Sequence, residues 1–300
     1  MKSLRTLTLR GLIVFLVTGA TGRVGRHVVN RLLVAGENVR ALTRDPKAAD
    51  LPTETAIVGG DLSLPDSVVP AMRGVTALFL FPAGSAAGAV LRTARDHGVR
   101  RVVMLSSSSV EYDTEVADNP IVSYHKELER QVVDSGLEWT LVRPCAFASN
   151  TLQWAQSVRS DGIVRGPNAE LRNALVHEQD IADVIANALL GDKHGGARYL
   201  VTGPEALSRA EQVQRIGEVT GQCLRYEEIS PIQARANMIR AGMPADMADL
   251  TLQFEAQRID AEPVISSPVE KMTGRPPRTY KQWVTEHSEA FAVASGRLPK

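Results

Sequence analysis

Two cysteines, Cys145 and Cys223, are all that this chain of 300 residues contains. That is too few for a disulfide framework or a clustered cysteine zinc site, and it points to a reducing, cytoplasmic setting. Net charge is missing as well. With 34 basic residues against 34 acidic ones, no global field draws the chain to nucleic acid or to an anionic membrane, and neither is an expected partner. No stretch reaches the ~18 apolar residues that a membrane-spanning helix requires. The His and carboxylate spacing of a metal site is absent, as are internal repeats and low-complexity tracts. What is present, 44% hydrophobic and 23% charged residues, suits one large α/β unit or two domains rather than disorder, collagen or a coiled coil.

The N-terminus imitates a targeting signal, because Lys2, Arg5 and Arg10 precede the apolar run from Gly11 to Val17. That run passes directly into Thr18-Gly19-Ala20-Thr21-Gly22 and a helical pattern, so cleavage there would remove a strand-to-helix unit. Residues 1–10 therefore read as a leader.

Short apolar runs at 11–18, 38–43, 55–59, 75–81, 100–106 and 138–143 alternate with helical patterns at 24–35, 66–73, 85–97 and 122–135. This alternation predicts parallel strands joined by crossover helices. Gly36, Gly74, Gly98 and Gly136 follow the four helices, where a left-handed stop suits glycine. After Arg143-Pro144 the beat breaks. A helix is predicted over 180–190 with Asp180 as its cap, a strand over 197–202, a Ser-capped helix over 208–220 and a strand over 225–229. Two helices over 231–260 break at Gly242-Met243-Pro244, and Pro263, Pro268, Pro276 and Pro277 mark loops before a last helix near 279–292.

Thr18-Gly19-Ala20-Thr21-Gly22-Arg23-Val24-Gly25 follows a buried-type strand and opens a helix, the context in which a glycine pattern holds a dinucleotide. Gly19 permits the turn, Gly22 lets the backbone approach a pyrophosphate, and Gly25 lets the helix pack close to the strand. The second strand ends in Thr43-Arg44-Asp45-Pro46-Lys47. Arg44 and Lys47 can pair with a 2′-phosphate, which favours NADPH over NADH, provided the Pro46 turn points Asp45 away.

The loop spacing resembles that of the short-chain dehydrogenase/reductase superfamily, in its extended and atypical branches. Gly60-Asp61-Leu62 looks like the superfamily's adenine-contacting segment, and Leu105-Ser106-Ser107-Ser108 ends a strand where that family carries its catalytic serine. Glu138 to Pro144 resembles the strand and proline turn that borders the nicotinamide, and His177 to Val184 resembles a helix entry of the NmrA-like branch. The resemblance covers roughly residues 11–230. It implies a Rossmann-type doubly wound parallel sheet with a smaller C-terminal substrate-binding lobe. The expected division is a leader over 1–10, a dinucleotide-binding domain over 11–160, and a region over 161–300 that is mostly lobe, with segments returning to the core.

On that resemblance, Phe81 and Pro144 join the glycine loop, Asp61 and Leu62 as cofactor contacts. The family's usual Tyr and Lys pair falls on Ile121 and His125, so Tyr124-His125-Lys126 offers the right residue types at the wrong spacing. Ser108 aligns with the catalytic serine, with Ser107 and Ser109 close enough to exchange roles; a satisfied loop is the alternative. His125 and Lys126 are candidates for contacting the nicotinamide ribose or a substrate, with a solvated helix face the favoured alternative for Lys126. His177 is either a proton donor or a polar anchor. Ser107, Tyr124, Phe147, Asn150 and Trp154 are the expected substrate contacts, with Gln153 beside them, although Phe147 and Trp154 can equally be lobe core. The implied activity is hydride transfer from NADPH to a ketone or quinone carbonyl of an aromatic small molecule, such as an aromatic polyketide, in a monomer or homodimer. The rival is a non-catalytic NADP(H) sensor that regulates a partner protein. An epimerase or dehydratase of nucleotide sugars comes last, because that chemistry leans on the missing Tyr.

Overall fold

The computed structural model describes residues 13–82, 86–111, 119–266 and 268–292. The expected leader and the first two residues of the first predicted strand lie outside them. The chain divides into two units. One comprises the described residues to Pro144, Glu178–Val201 and 268–275; the other comprises Cys145–His177, Thr202–Ser266 and the described residues from Pro276. The chain thus leaves the sheet unit at Pro144, where the expected boundary lay near 160, and the returning segments are a helix and strand in mid-chain and a short helix near its end.

The first unit is a seven-stranded sheet whose neighbours are all parallel. Its strands are β1 (Val14–Thr18), β2 (Asn38–Thr43), β3 (Ala56–Gly59), β4 (Ala77–Leu80), β5 (Arg101–Leu105), β6 (Glu138–Pro144) and β8 (Ala197–Val201), in the order β3-β2-β1-β4-β5-β6-β8. Leu16, Val17, Leu78 and Phe79 are all buried, the pattern of a sheet covered on both faces rather than one. The strand order reverses between β1 and β4, so the loops after those two strands diverge and leave a crevice at their carboxyl ends.

Helices α1 (Gly25–Val34), α3 (Ala87–Asp96) and α4 (Pro120–Val133) lie close to their predicted spans, and the four glycine stops all take positive φ. The pattern over 66–73 instead forms a 3-10 turn, Pro65–Val68, running into the short α2 (Val69–Met72). Asn119 caps α4, its Oδ1 accepting from the N–H of Ile121 at 3.0 Å and of Val122 at 3.4 Å.

Helix α6 (Glu178–Leu190) packs against α1 and against α10 (Pro268–Thr273). Two expectations fail here. Asp180 is not the cap, because the helix begins at Glu178; its buried carboxylate lies in the first turn, 3.7 Å from Arg275. Asp183 on the same helix pairs with Arg31 and Arg275, so each buried charge has a cation beside it. Pro268 does not mark a loop but opens α10, a position where its missing N–H costs nothing.

The second unit joins β7 (Ile163–Gly166) and β9 (Arg225–Glu228) as a parallel pair with α5 (Ala155–Ser160) and α7 (Arg209–Thr220). Helices α8 (Pro231–Arg240) and α9 (Ala245–Ala256) break at Gly242 to Pro244 as predicted. The predicted last helix is two pieces, α11 (Tyr280–Glu286) and α12 (Ser288–Phe291), because the chain turns at His287. Trp283, Tyr280 and Phe291 are buried against Val213 and Ile216 of α7, and the Trp283 ring stacks on Tyr280 and His287.

Candidate active site

Thr18 ends β1 with a structural task. Its Oγ1 donates to the Phe79 carbonyl at 3.0 Å and accepts from the Phe81 N–H at 2.7 Å, tying the ends of β1 and β4 together. Gly19 then turns with φ of +59°, and the Gly22 N–H donates to its carbonyl at 2.9 Å. A Cβ on Gly25 would lie 2.1 Å from that same carbonyl oxygen, so only glycine lets α1 start this close to the loop. Val24, buried at the N-cap, supplies no side-chain acceptor to the first turn of α1. The N–H groups and positive dipole end of α1 therefore suit an anion.

A cavity of about 420 Å³ opens beside this loop, lined by Gly19, Thr21, Gly22, Leu42, Thr43, Arg44, Gly60, Asp61, Leu62, Ser63, Phe81 and Pro82. Seven of the expected cofactor contacts, Gly19, Thr21, Gly22, Arg44, Asp61, Leu62 and Phe81, thus share one cavity. Asp61 is held within its own turn. The N–H and Oγ of Ser63 both donate to its Oδ1 at 2.8 Å, and these hydrogen bonds, with nearby Arg44, hold the carboxyl below its ordinary value. The Asp45 Oδ1 accepts from the N–H of Lys47 at 3.0 Å and of Ala48 at 3.3 Å, so that carboxylate is occupied in its own turn. Lys47 and Arg23 are exposed and Pro144 is buried at the end of β6; none of the three lines the cavity. Sequence reasoning missed Ser63 and Pro82, although Ser63 stands two residues after a recognised Asp, a spacing that signals an Asx-type turn.

At the end of β5 the serines divide their work. The Ser106 Oγ donates to the buried Glu129 carboxylate at 2.5 Å, and the Arg143 guanidinium grips the same carboxylate, with its Nε on Oε1 at 2.8 Å. This triad fixes α4 and β6 behind the strand end. Ser107 Oγ accepts from the Ser109 N–H at 3.1 Å, while Ser108 is buried at the head of a 3-10 turn, Ser108–Glu111, that packs against α4. Two buried polar atoms on these packed elements, Ser109 Oγ and His125 Nδ1, have no hydrogen-bond partner. Burial holds the His125 imidazole below its ordinary value against the opposing pull of Glu129, so the ring is neutral near pH 7. Tyr124 meets that ring edge-on at 5.1 Å and is, like Ile121 and Lys126, exposed.

In the second unit, Phe147 is half-buried and bridged to Val176, and Asn150 is exposed. His177 is 2% exposed with its Nε2 3.3 Å from Glu286. Trp154 lines a second cavity, of about 450 Å³, together with Gln153, Val164, Arg209, Tyr226, Met238 and Glu255 among others. Of these only Gln153 and Trp154 were visible beforehand, because the rest come from separate elements with no shared motif. Among the described residues, no group of His, Cys, Asp and Glu is placed to hold a metal ion, and no helix is long and apolar enough to cross a membrane.

Residues 19–192 match a family described as NAD(P)H-binding. The (4-alkanoyl-5-oxo-2,5-dihydrofuran-3-yl)methyl phosphate reductase of Streptomyces griseus is 40% identical, over 92% of this chain and 99% of its own. The NAD(P)H azoreductase of Xenophilus azovorans is 34% identical, over 93% of this chain and 99% of its own. The crystal structure of an NADPH-dependent quinone oxidoreductase from Escherichia coli shares the fold, with a TM-score of 0.77 at 22% identity over 92% of this chain and 99% of that one. Reductases related along nearly the whole length set the non-catalytic sensor aside. With the glycine cradle, its cavity and these relatives together, the chain belongs to the NAD(P)H-binding family and is an NAD(P)H-dependent reductase.

Proposed function

We propose that this reductase prefers NADPH and delivers hydride to a ketone or quinone carbonyl conjugated to an aromatic or similarly electron-poor π system, without a Tyr/Lys acid–base pair. The observation that carries the cofactor preference is the placement of Arg44 on the cavity wall while the Asp45 carboxylate is taken up by the N–H groups of Lys47 and Ala48. Arg44 would hold the 2′-phosphate, Asp61 the adenosine side, and the loop from Gly19 to Gly25 the pyrophosphate. NADPH, when bound, supplies the hydride.

The rest of the chemistry falls to this chain's residues. Ser108 donates its hydroxyl to the acceptor oxygen on which charge develops. His125 is neutral, so at this position the chain lacks the fixed positive charge of a lysine. A conjugated acceptor tolerates this loss, since its charge spreads onto an oxygen that water can protonate. Support comes from the names of two relatives: one acts on an alkanoyl-oxo-dihydrofuran, which carries conjugated carbonyls, and the other on azo compounds, which are conjugated and reducible although not carbonyls.

Single-turnover NADPH oxidation with a naphthoquinone or a hydroxyaryl ketone tests the assignment. Ser108→Ala should slow the step by about 10²-fold, the scale of one lost oxyanion donor. Tyr124→Phe should stay within about tenfold of the parent, below the ~10²–10⁴-fold of a positioned general acid. A thousandfold fall in Tyr124→Phe with cofactor affinity intact would instead reveal a displaced version of the ordinary mechanism.

A further inference from the structure

The cavity of the second unit has a polar floor that asks nothing of a ligand. Arg209 donates to the Pro167 carbonyl at 2.6 Å and to Glu255 Oε1 at 2.5 Å, and Asn168 Nδ2 donates to Glu255 Oε2 at 3.2 Å. The Tyr226 hydroxyl also donates to the Pro167 carbonyl, at 2.8 Å, and burial pushes its phenol up to about 12, so it stays neutral. Arg165 and Thr251 on the lining are likewise engaged, with Asp161 and with the Met247 carbonyl, and much of the rest is apolar wall: Trp154, Val164, Ile229, Met238 and Met243. The hairpin of α8 and α9, braced by Arg235 on Asp249 at 2.6 Å, buries only Ala234 and Ala248 of its own residues. Its inner face therefore borders space rather than core.

The shape of that wall separates two apolar ligands. A slot that sandwiches a flat aromatic ring needs two parallel faces, but Trp154 and Tyr226 meet each other edge-to-face, at 67° and 6.3 Å between centroids, and form no such slot. Methionine thioethers, by contrast, adapt to a bent flexible chain. The volume, about 450 Å³, falls within the usual range of small-molecule pockets. Exposed amides at Gln153 and Asn237, both on the cavity lining, can serve an oxygen at the chain's end. We infer that this cavity binds a medium-length alkyl chain carrying a terminal oxygen function. The inference is independent of the reductase reading, because it concerns binding without turnover.

Titration of the full chain, ¹³C-labelled at the methionine methyls, with n-alkanols from butanol to decanol and no nicotinamide present is the test. Met238 and Met243 should shift saturably, while Met72 and Met104, buried in the sheet unit, stay still. Affinity should rise about fourfold per added CH₂, the usual gain for burying a methylene, until the chain outgrows the cavity. Ala241→Trp, at an exposed lining position, should weaken octanol at least tenfold with no change in unfolding temperature. Absence of a saturable shift, equal shifts at all methionines, affinity indifferent to chain length, or undiminished binding in Ala241→Trp would overturn the inference. Tighter binding of 2-naphthol than of octanol would overturn it too, in favour of an aryl group.

Discussion

The two cavities differ in what builds them. The one beside the glycine loop owes its opening to main chain at strand ends, with Gly19, Gly22 and Gly60 in its wall and the Asp61 and Asp45 turns beside it, and side chains such as Arg44 and Phe81 complete it. The one in the second unit is made of side chains drawn from α5, β7, α7, β9, α8 and α9. A main-chain site has little freedom to vary, because altering it means altering the strand order that leaves the crevice open. A side-chain site can be re-cut by substitution while β7, β9 and their helices stand. On these assignments, cofactor binding would sit where the fold is rigid, and ligand choice where it is replaceable.

The largest effect expected on this contrast comes from the main-chain side. Gly22→Val should reduce NADPH affinity by more than a hundredfold while the circular dichroism spectrum holds, because the new side chain enters the cavity that the cofactor needs. Calorimetric titration measures it; retained affinity in a folded variant would demote the loop to an ordinary turn. Arg44→Ala is a smaller and more selective break. Loss of one charge-assisted contact should cost about tenfold or more in NADPH affinity and leave NADH binding nearly unchanged. Equal losses for both cofactors would remove the argument for a 2′-phosphate contact.

The same contrast decides what the sequence could disclose. In the sheet unit α1 to α4 are each followed by a glycine with positive φ, and β1, β4 and β5 are short runs buried almost throughout, so local pattern and tertiary role coincide. Seven of the thirteen expected cofactor contacts share a single cavity for that reason. In the second unit they diverge. The strand Ile163–Gly166 is only four residues long and carries Arg165 outward, and the 3-10 segment Ala148–Trp154 has no strand or α-helical period to betray it. Helices α8 and α9 were legible from their break at Gly242 to Pro244, but their sparse burial hid the cavity they enclose. Asp180 misled because an acidic residue in a first turn looks the same in sequence whether it caps the helix or pairs, as here, with an arginine some ninety residues away.

The smallest expected effect concerns pH and the His125 ring behind the serine turn. Its folded-state value is depressed, chiefly by burial, from an ordinary value of about 6.5 in the unfolded chain. The folded state therefore holds fewer protons there than the unfolded state does. Its contribution to stability is complete above about pH 6.5 and is lost as the pH falls below that, levelling off beneath the folded-state value. His194, also depressed by burial and by Arg101, acts in the same direction, so only part of the slope belongs to His125. Between pH 7.5 and 5 the parent should lose more stability to urea than His125→Gln, whose amide does not titrate. Because the ring is only part-buried, the difference should stay well under the ~1.4 kcal/mol per pH unit of a full proton. Parallel profiles for parent and variant would mean that the ring charges freely in the folded state. His125 could then supply the positive charge that this reading of the site denies it, and the serine turn would lie beside a titrating cation rather than a neutral imidazole.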